Sequence, residues 1–259
     1  MKPTVEFKRV PAIDKCFSIL EAISKSDRGM GISETARVLG YNKSTVFNIV
    51  HTLRSLGILE NNRDNRFVLG PGLYVLGTKA AKNFNLADIA HPWLEKVAME
   101  TRLSAFVGTL SRGWIVIIDK VDSPVDIKVS SEIGMRIPLF AGATGKVLLA
   151  QMAEEKARDL LRRKKLKRYT PNTCTDPEKY LRIVQEVRRQ GFALDKEEYI
   201  DGIRAIAVPV RNGQNSAPSA LWVVGLSSQL RDQDMHTYAN FLKEVGRKVE
   251  RRLSPDGTR

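Results

Sequence analysis

The amino-acid sequence predicts an α+β protein, with a winged helix-turn-helix followed by a larger domain in which helices flank a mixed sheet. Three observations support this fold class. Two amphipathic helices separated by a glycine-containing turn lie between Gly31 and Gly57, and a strand, turn, strand pattern follows them. From Asp88 onward, helical and strand patterns alternate along the chain.

The first helix of the pair is predicted to begin near Ser33, whose hydroxyl can cap the first turn, and to end at Gly40. Asn42 to Thr45 offer polar side chains for the start of the second helix, and Gly57 suits its end. Helical spacing predicts inward faces made by Ile32, Ala36 and Leu39 in the first helix and by Val46, Ile49, Val50, Leu53 and Leu56 in the second.

The outer face of the second helix is polar and lacks acidic residues. Its members are Lys43, Thr45, Asn48, His51, Thr52 and Ser55. Phosphate oxygens and base edges would tolerate such a face, so the pattern favours a helix that reads DNA. An ordinary helical hairpin with a solvated outer face is the alternative.

The flanking sequence favours the DNA-reading interpretation. An upstream amphipathic helix is predicted with an inward face of Ile13, Cys16, Phe17, Leu20 and Ile23. Downstream, residues 58–60 and 66–69 have strand character and enclose the turn-forming residues 61–65. Three helices and a hairpin make a winged helix, whose Arg63 or Arg66 would reach a phosphate or an adjacent minor groove.

Composition and charge agree with a nucleic-acid partner. The 259 residues have a net charge of +13. Residues 1–87 contribute 13 − 7 = +6 and the rest 29 − 22 = +7, so the first third is about twice as basic per residue. Only two cysteines and three scattered histidines occur, which indicates a reducing cytoplasm and no metal site. No leader or membrane-spanning segment is expected, so a cytoplasmic location is predicted.

We predict four segments: a winged helix over residues 1–72, a linker helix over 73–87, a second domain over 88–254 and a tail over 255–259. In the second domain, helices are expected at about 90–101, 144–152, 154–163, 178–190 and 232–252. Strands are expected at 105–110, 114–121, 204–210 and 219–227, with a further strand where Val125, Ile127 and Val129 alternate with polar residues.

Several ordered motifs resemble those of the IclR family of bacterial transcription regulators. They are ISETARVLGYNKSTVFNIVHTLRSLGILE, RFVLGPGLYVLG, IPLFAGATGKVLLA, TPNTCTDPEKY, VRRQGFALDKEEYIDGIRAIAVPV and ALWVVGLS. The resemblance implies a winged helix that binds double-stranded operator DNA. It also implies a GAF-like domain that binds a small-molecule effector and assembles the chain into dimers or dimers of dimers.

Residues of the predicted recognition helix match the family opening Lys-Ser-Thr. Asn48 occupies a position where members frequently carry arginine, and its amide suits adenine better than guanine. The DNA-binding residues expected on this basis are Lys43, Ser44, Thr45, Asn48, His51, Thr52, Arg63 and Arg66.

The resemblance also implies which residues line the effector pocket. The corresponding positions are Val129, Ile137, Ala143, Thr144, Asp195, Ile203, Ala205, Trp222 and Val224. Asp195 would hold a ligand hydroxyl or accept from a protonated acid, or would instead cap a turn. Trp222 and Val224 stand where members that bind small keto acids carry hydroxyl groups, which favours an aromatic or largely apolar acid.

Two other function classes stay open at this point. Trp222 would fill the pocket in an effector-independent DNA-binding protein. An enzyme acting on the pocket ligand is disfavoured, because no acid, base and nucleophile can be assembled from these residues. We therefore expect a regulator that is not an enzyme and needs no cofactor.

Overall fold

The computed structural model describes residues 8–82, 86–211 and 217–253. The chain divides into two compact units, Met1–Phe84 and Asn85–Arg259. The predicted tail over 255–259 lies outside the described residues.

The first unit is a winged helix followed by one more helix. Its elements are α1 (Pro11–Ser24), α2 (Ile32–Leu39), α3 (Lys43–Ser55), β1 (Leu59–Asn61), β2 (Phe67–Leu69) and α4 (Pro71–Lys82). β1 and β2 form the antiparallel hairpin, and Met30 bridges to Phe67 beside it. Val46, Val50 and Leu53 from α3 share one core with residues of α1 and the hairpin.

Parts of the predicted helix faces were wrong. Ile13 and Phe17 of α1 and Leu56 after α3 are more than half exposed. The buried residues of α1 are Ile23, as predicted, and Ile19, which was not predicted, while Ile13 and Leu56 line an open groove of about 320 Å³ between α1 and α3. Periodicity alone cannot tell a side chain that faces a neighbour from one at the edge of the same stripe.

The predicted ends of α2 and α3 are confirmed, but the predicted capping side chains at their starts are not. α2 begins after Gly31, so Ser33 lies inside the helix and does not cap it. Asn42 precedes α3, again without a side-chain hydrogen bond to the first turn. The predicted stops at Gly40 and Gly57 are confirmed, since both have positive φ angles at the helix ends.

Helix α4 begins at Pro71, two residues before the predicted linker helix. Tyr74, Val75 and Leu76 are all more than half exposed. Phe84, which belongs to the predicted linker helix over 73–87, lies outside the described residues. The next helix already starts at Leu86 and not near Ala90.

The second unit is a six-stranded sheet between two layers of helices. Its elements are α5 (Leu86–Thr101), β3 (Ser104–Ser111), β4 (Trp114–Val121), β5 (Arg136–Pro138), α6 (Gly142–Ala150), α7 (Glu154–Arg163), α8 (Pro177–Gln190), β6 (Ala193–Lys196), β7 (Ile203–Val210), β8 (Ser219–Leu226) and α9 (Asp232–Leu253). The strand order is β5-β4-β3-β8-β7-β6. Helices α5 and α9 pack on one face of the sheet, where strand β8 contributes Leu221 and Val223. Helices α6 to α8 pack on the other face, where the strands contribute Phe106 and Trp222.

The prediction of a mixed sheet was wrong, because every pairing among the described strands is antiparallel. A parallel pair requires a long crossover between neighbouring strands. Here the helical segment α6 to α8 joins β5 to β6, which lie at opposite edges of the sheet. The neighbours β3 and β4 are joined by a tight turn of Arg112 and Gly113, both with positive φ.

The third strand predicted over residues 125–129 was wrong. The backbone N–H of Val125 bonds to the Ser123 hydroxyl, and the carbonyl of Ile127 accepts from the Gln229 amide. These backbone groups therefore pair with side chains and not with a strand, and Ile127 is exposed. The strand next to β4 is Arg136–Pro138, which the sequence did not single out, as it did not single out β6.

No helix in residues 8–82, 86–211 and 217–253 is long and apolar enough to cross a membrane. In the same ranges, no three His, Cys, Asp or Glu side chains form a group that could hold a metal ion.

Candidate DNA-binding face and effector cavity

The outer face of α3 displays polar side chains opposite the buried residues Val46, Val50 and Leu53. Among the predicted DNA-binding residues, Lys43, Ser44, Asn48 and Thr52 are exposed, while Thr45 and His51 are half-buried. The Thr52 hydroxyl donates to the Asn48 carbonyl at 2.7 Å, so part of its bonding capacity is used within the helix.

Phe47 is the residue on this face that sequence reasoning missed. It is 50% exposed, and its ring centroid lies 4.3 Å from that of His51. His51 in turn meets the buried Phe67 edge-on at 5.8 Å. Its position in the sequence could have revealed it. Phe47 lies three residues after Ser44 and four before His51, so helical spacing puts it on the outer face and outside the predicted apolar stripe.

The two wing arginines are placed differently. Arg66 pairs with Glu34, and its Nε donates to the Gly29 carbonyl at 3.0 Å, which ties the wing to the segment before α2. Arg63 is exposed in the turn. The Asn62 side chain holds that turn by accepting from the backbone N–H groups of Asp64 and Arg66.

A cavity of about 110 Å³ lies on the α6 side of the sheet in the second unit. It is lined by Phe106, Val129, Ser131, Met135, Ile137, Ala141, Gly142, Ala143, Thr144, Asp195, Tyr199, Ile200, Ile203, Ala205 and Val224. Eight of the nine residues predicted for the effector pocket are in this set. Sequence reasoning missed the loop residues Ser131, Met135, Tyr199 and Ile200, because loops carry no periodicity that shows which side chains turn inward.

Trp222 is the predicted pocket residue that the structure places elsewhere. It is 2% exposed and stacks on Phe106, with ring centroids 5.6 Å apart and planes 15° apart. Gly108 leaves room for the indole, since a β-carbon there would lie 2.9 Å from its Cη2 atom. Phe106 therefore separates the indole from the cavity, and the indole neither lines nor fills it.

Asp195 is the one carboxylate in the described cavity lining. Its Oδ1 accepts the backbone N–H of Glu198 at 2.6 Å, so it caps a turn as well as facing the cavity. Burial raises its carboxyl pKa from 3.8 to about 6, with the nearby Glu198 carboxylate adding to the rise. The Glu198 amide and the Lys146 ammonium act in the opposite direction.

Gly142 brings the start of α6 against this carboxylate. Its φ is +61°, and a β-carbon at this position would overlap Asp195 Oδ2. Glycine is therefore required here both by the backbone conformation and by the close approach. The first turn of α6, whose N–H groups have no partner within the helix, and the Thr144 side chain lie at the same wall of the cavity.

An ion pair outside the cavity lining connects the elements that form this wall. Lys146 of α6 is 3% exposed, donates to the Leu194 carbonyl at 2.9 Å and pairs with Glu198. Glu198 is also the residue whose backbone N–H binds Asp195. The pair thus couples α6 to the turn that holds the carboxylate.

Comparison with known proteins matches both units. Residues 12–63 match the IclR helix-turn-helix domain, and residues 78–251 match the C-terminal domain of the bacterial transcriptional regulator IclR. The HTH-type transcriptional regulator KdgR of Escherichia coli K12 is 30% identical over 245 residues, which are 94% of this chain and 93% of that protein. KdgR of Dickeya chrysanthemi is 32% identical over 93% of this chain and 79% of that protein.

Solved structures agree. An IclR transcriptional regulator from Alicyclobacillus acidocaldarius superimposes with a TM-score of 0.81 at 32% identity, over 94% of this chain and 98% of that one. An IclR homologue from Microbacterium hydrocarbonoxydans, in complex with 4-hydroxybenzoate, gives a TM-score of 0.82 at 23% identity, over 93% and 98%. At that identity the second match shows the shared fold alone.

A winged helix joined to a separate sheet domain that contains a cavity defines a DNA-binding transcriptional regulator with an effector-binding domain. The family matches make the assignment specific. The chain belongs to the IclR family. The predicted family, the α+β fold class and the regulatory function are thereby confirmed, with the sheet antiparallel throughout its described strands.

Proposed function

We propose that the effector is a compact, largely apolar organic acid that binds in the cavity of the second unit and changes the affinity for operator DNA. The observation that carries this proposal is the lining of the cavity. Its described residues combine one carboxylate and the hydroxyl groups of Ser131, Thr144 and Tyr199 with apolar side chains, and they include no Lys or Arg. Such a site selects by shape and by a few polar contacts.

The polar wall gives the ligand its orientation. An anionic group would favour the first turn of α6, where N–H groups that have no partner within the helix and the helix dipole attract negative charge. A ligand hydroxyl would donate to Asp195, or Asp195 would share a proton with the ligand acid. The raised pKa of this carboxyl makes proton sharing accessible near pH 6.

The apolar wall accounts for the ligand body. Phe106 takes the place that the sequence assigned to Trp222, and Ile137, Ile203 and Val224 line the same space. The volume of about 110 Å³ is below the 150 Å³ or so of a cavity that holds benzene, so a ring would require the loop residues to give way. The fold accommodates such a ligand in the Microbacterium protein solved with 4-hydroxybenzoate.

On the DNA side, we assign Lys43, Ser44, Thr45, Asn48, His51 and Thr52 to the surface that enters the major groove. Asn48 is the proposed adenine reader. We assign the exposed Arg63 to a phosphate contact, whereas Arg66 is better explained as a brace for the wing because Glu34 and Gly29 hold its guanidinium.

We also propose that the chain acts as a homo-oligomer in the cytoplasm and is not an enzyme. The exposed apolar residues Tyr74, Val75 and Leu76 of α4 support self-association. Two winged helices would then read half-sites separated by multiples of about 34 to 36 Å. Binding without catalysis agrees with the regulatory roles of the relatives.

The test is fluorescence anisotropy of the purified chain on its own upstream DNA, with a panel of aromatic and short aliphatic acids. We expect at least one acid to change DNA affinity in the wild-type chain but not in Asp195→Asn. Asp176→Asn is the matched control, because Asp176 also accepts an N–H three residues ahead, at the start of α8, but does not line the cavity. DNA affinity that ignores every acid would contradict the proposed effector class.

A further inference from the structure

Phe47 stands in the part of α3 that enters the major groove in helix-turn-helix proteins. Ser44, Phe47, Asn48 and His51 follow one another at helical spacing i, i+3, i+4 and i+7, so they form a single stripe on the outer face. Recognition helices contact base edges mainly with their N-terminal residues. Half of the Phe47 surface is exposed on this stripe.

The ring of Phe47 is supported on the protein side. His51 lies against it with a centroid separation of 4.3 Å and an interplanar angle of 47°. His51 is fixed in turn by the edge-on contact with Phe67, which is 5% exposed and belongs to the core of the winged helix. Two ring contacts therefore connect the exposed aromatic group to the core through β2.

The chemistry of the major groove restricts what such a ring can recognise. Among the four bases, thymine alone presents a methyl group at its major-groove edge, beside a hydrogen-bond acceptor. A phenyl ring has no hydrogen bond to offer, and contact with a methyl group removes apolar surface of both partners from water. The neighbours Ser44 and Asn48 supply the hydrogen bonds that the ring lacks.

We infer that Phe47 is a specificity-determining residue that recognises the 5-methyl group of thymine in the operator. The inference rests on the DNA face assigned to α3 above. It adds an apolar reader to a set of polar ones, and it predicts a thymine next to the base pair that Asn48 contacts.

The test exchanges thymine for uracil, which removes the methyl group and leaves every hydrogen-bonding group in place. Sites are first enriched from random-sequence DNA with the full-length chain. Each thymine of the enriched site is then replaced singly by deoxyuridine, and affinity is measured by anisotropy. We expect one or two thymines per half-site at which uracil weakens binding about threefold to fivefold, the effect of one buried methyl group.

Variants connect that loss to the side chain. Phe47→Ala should bind thymine and uracil duplexes equally at those positions, and Phe47→Leu should keep part of the difference. Ser55→Ala is the matched control, since Ser55 lies on the same outer face two turns further along and should leave the difference unchanged. Thermal unfolding of each variant shows whether the winged helix is intact, and the uracil scan of the wild-type chain requires no substitution.

Two results would overturn the inference: a wild-type chain indifferent to uracil at every thymine, or a folded Phe47→Ala variant that keeps the wild-type sensitivity. A third result has a wider meaning. If the wild-type chain enriched no sequence, both the assigned DNA face and this inference would be overturned. Selective binding that is indifferent to the methyl group would overturn this inference alone.

Discussion

Asp195 is the residue for which the structure makes a pH-dependent prediction. Its carboxyl pKa is about 6 in the folded chain against an ordinary 3.8, because burial disfavours the charged form. The folded state therefore holds the proton more tightly, and stability must fall as pH rises from about 4 to 6. The cost is complete above pH 6 and absent below about 4, and it amounts to at most about 3 kcal/mol.

We expect the Asp195→Asn variant to lack this dependence. The measurement is urea unfolding of both proteins between pH 4.5 and 7.5. The stability of the wild-type chain relative to the variant should decrease up to about pH 6 and then level off. A constant offset between the two curves would show that the carboxyl is not desolvated as described.

At the scale of the element, the start of α6 decides the shape of the cavity. Gly142→Ala would introduce both backbone strain and an overlap with Asp195 Oδ2. Gly134→Ala is the matched control, because Gly134 also has a positive φ, +86°, but its β-carbon would meet open space. We expect the control to lose the 1–2 kcal/mol or so of a left-handed alanine, and Gly142→Ala to lose more.

Ligand binding should separate these two variants further. Gly142→Ala displaces the carboxylate or the first turn of α6, so it should abolish the effector response that Gly134→Ala retains. Thermal unfolding with and without an active acid measures both effects. Equal losses of stability and an unchanged response in both variants would argue against the close contact between α6 and Asp195.

The wing provides a second prediction at this scale, because its two arginines should differ in effect. Arg66→Ala removes contacts to Glu34 and Gly29, so it should destabilise the winged helix by up to about 1 kcal/mol and weaken binding to all DNA sequences alike. Arg63→Ala should leave stability unchanged and reduce the salt dependence of binding by about one phosphate contact.

Thermal unfolding and DNA affinity as a function of salt distinguish the two roles. If Arg63→Ala lowered the melting temperature while Arg66→Ala changed only the salt slope, the roles assigned here would have to be exchanged.

The sequence predicted elements well where local chemistry determines them. The helix expected at about 178–190 is α8, which begins at Pro177, where the Asp176 side chain caps the first turn by accepting the Lys179 N–H. Prediction from the sequence failed where tertiary contacts determine whether a segment forms a strand. Residues 125–129 alternate like a strand, but side chains take up their backbone groups, and the short edge strand Arg136–Pro138 has too few residues to show a period.

In the candidate site, too, some residues could be predicted from the sequence and others depend on tertiary contacts. Motif positions placed Ile137, Thr144 and Asp195 at one cavity, because the resemblance carries three-dimensional information that periodicity does not. Trp222 shares the β8 face with Val224, yet only Val224 reaches the cavity, since Phe106 covers the indole. No pattern along one strand reveals what a neighbouring strand places over it.

At the scale of the whole molecule, sensing and DNA reading belong to separate compact units. Met1–Phe84 holds the recognition helix and the wing, and Asn85–Arg259 holds the cavity. Each unit has its own buried core. Because a ligand can shift DNA binding only through a difference in its affinity for two states, the effector response requires both units in one chain.

Separating the units should therefore divide the two activities. We expect residues 85–259 alone to fold, to be stabilised by an active acid and to ignore DNA. Residues 1–84 alone should bind the operator with weaker affinity and no response to the acid. Residues 1–84 keep the exposed apolar residues of α4 but lose any oligomer contacts of the second unit, and if those contacts supply avidity the loss should be about 10²- to 10⁴-fold. Thermal shift and anisotropy measure these outcomes, and an acid response in residues 1–84 would place the effector site outside the cavity.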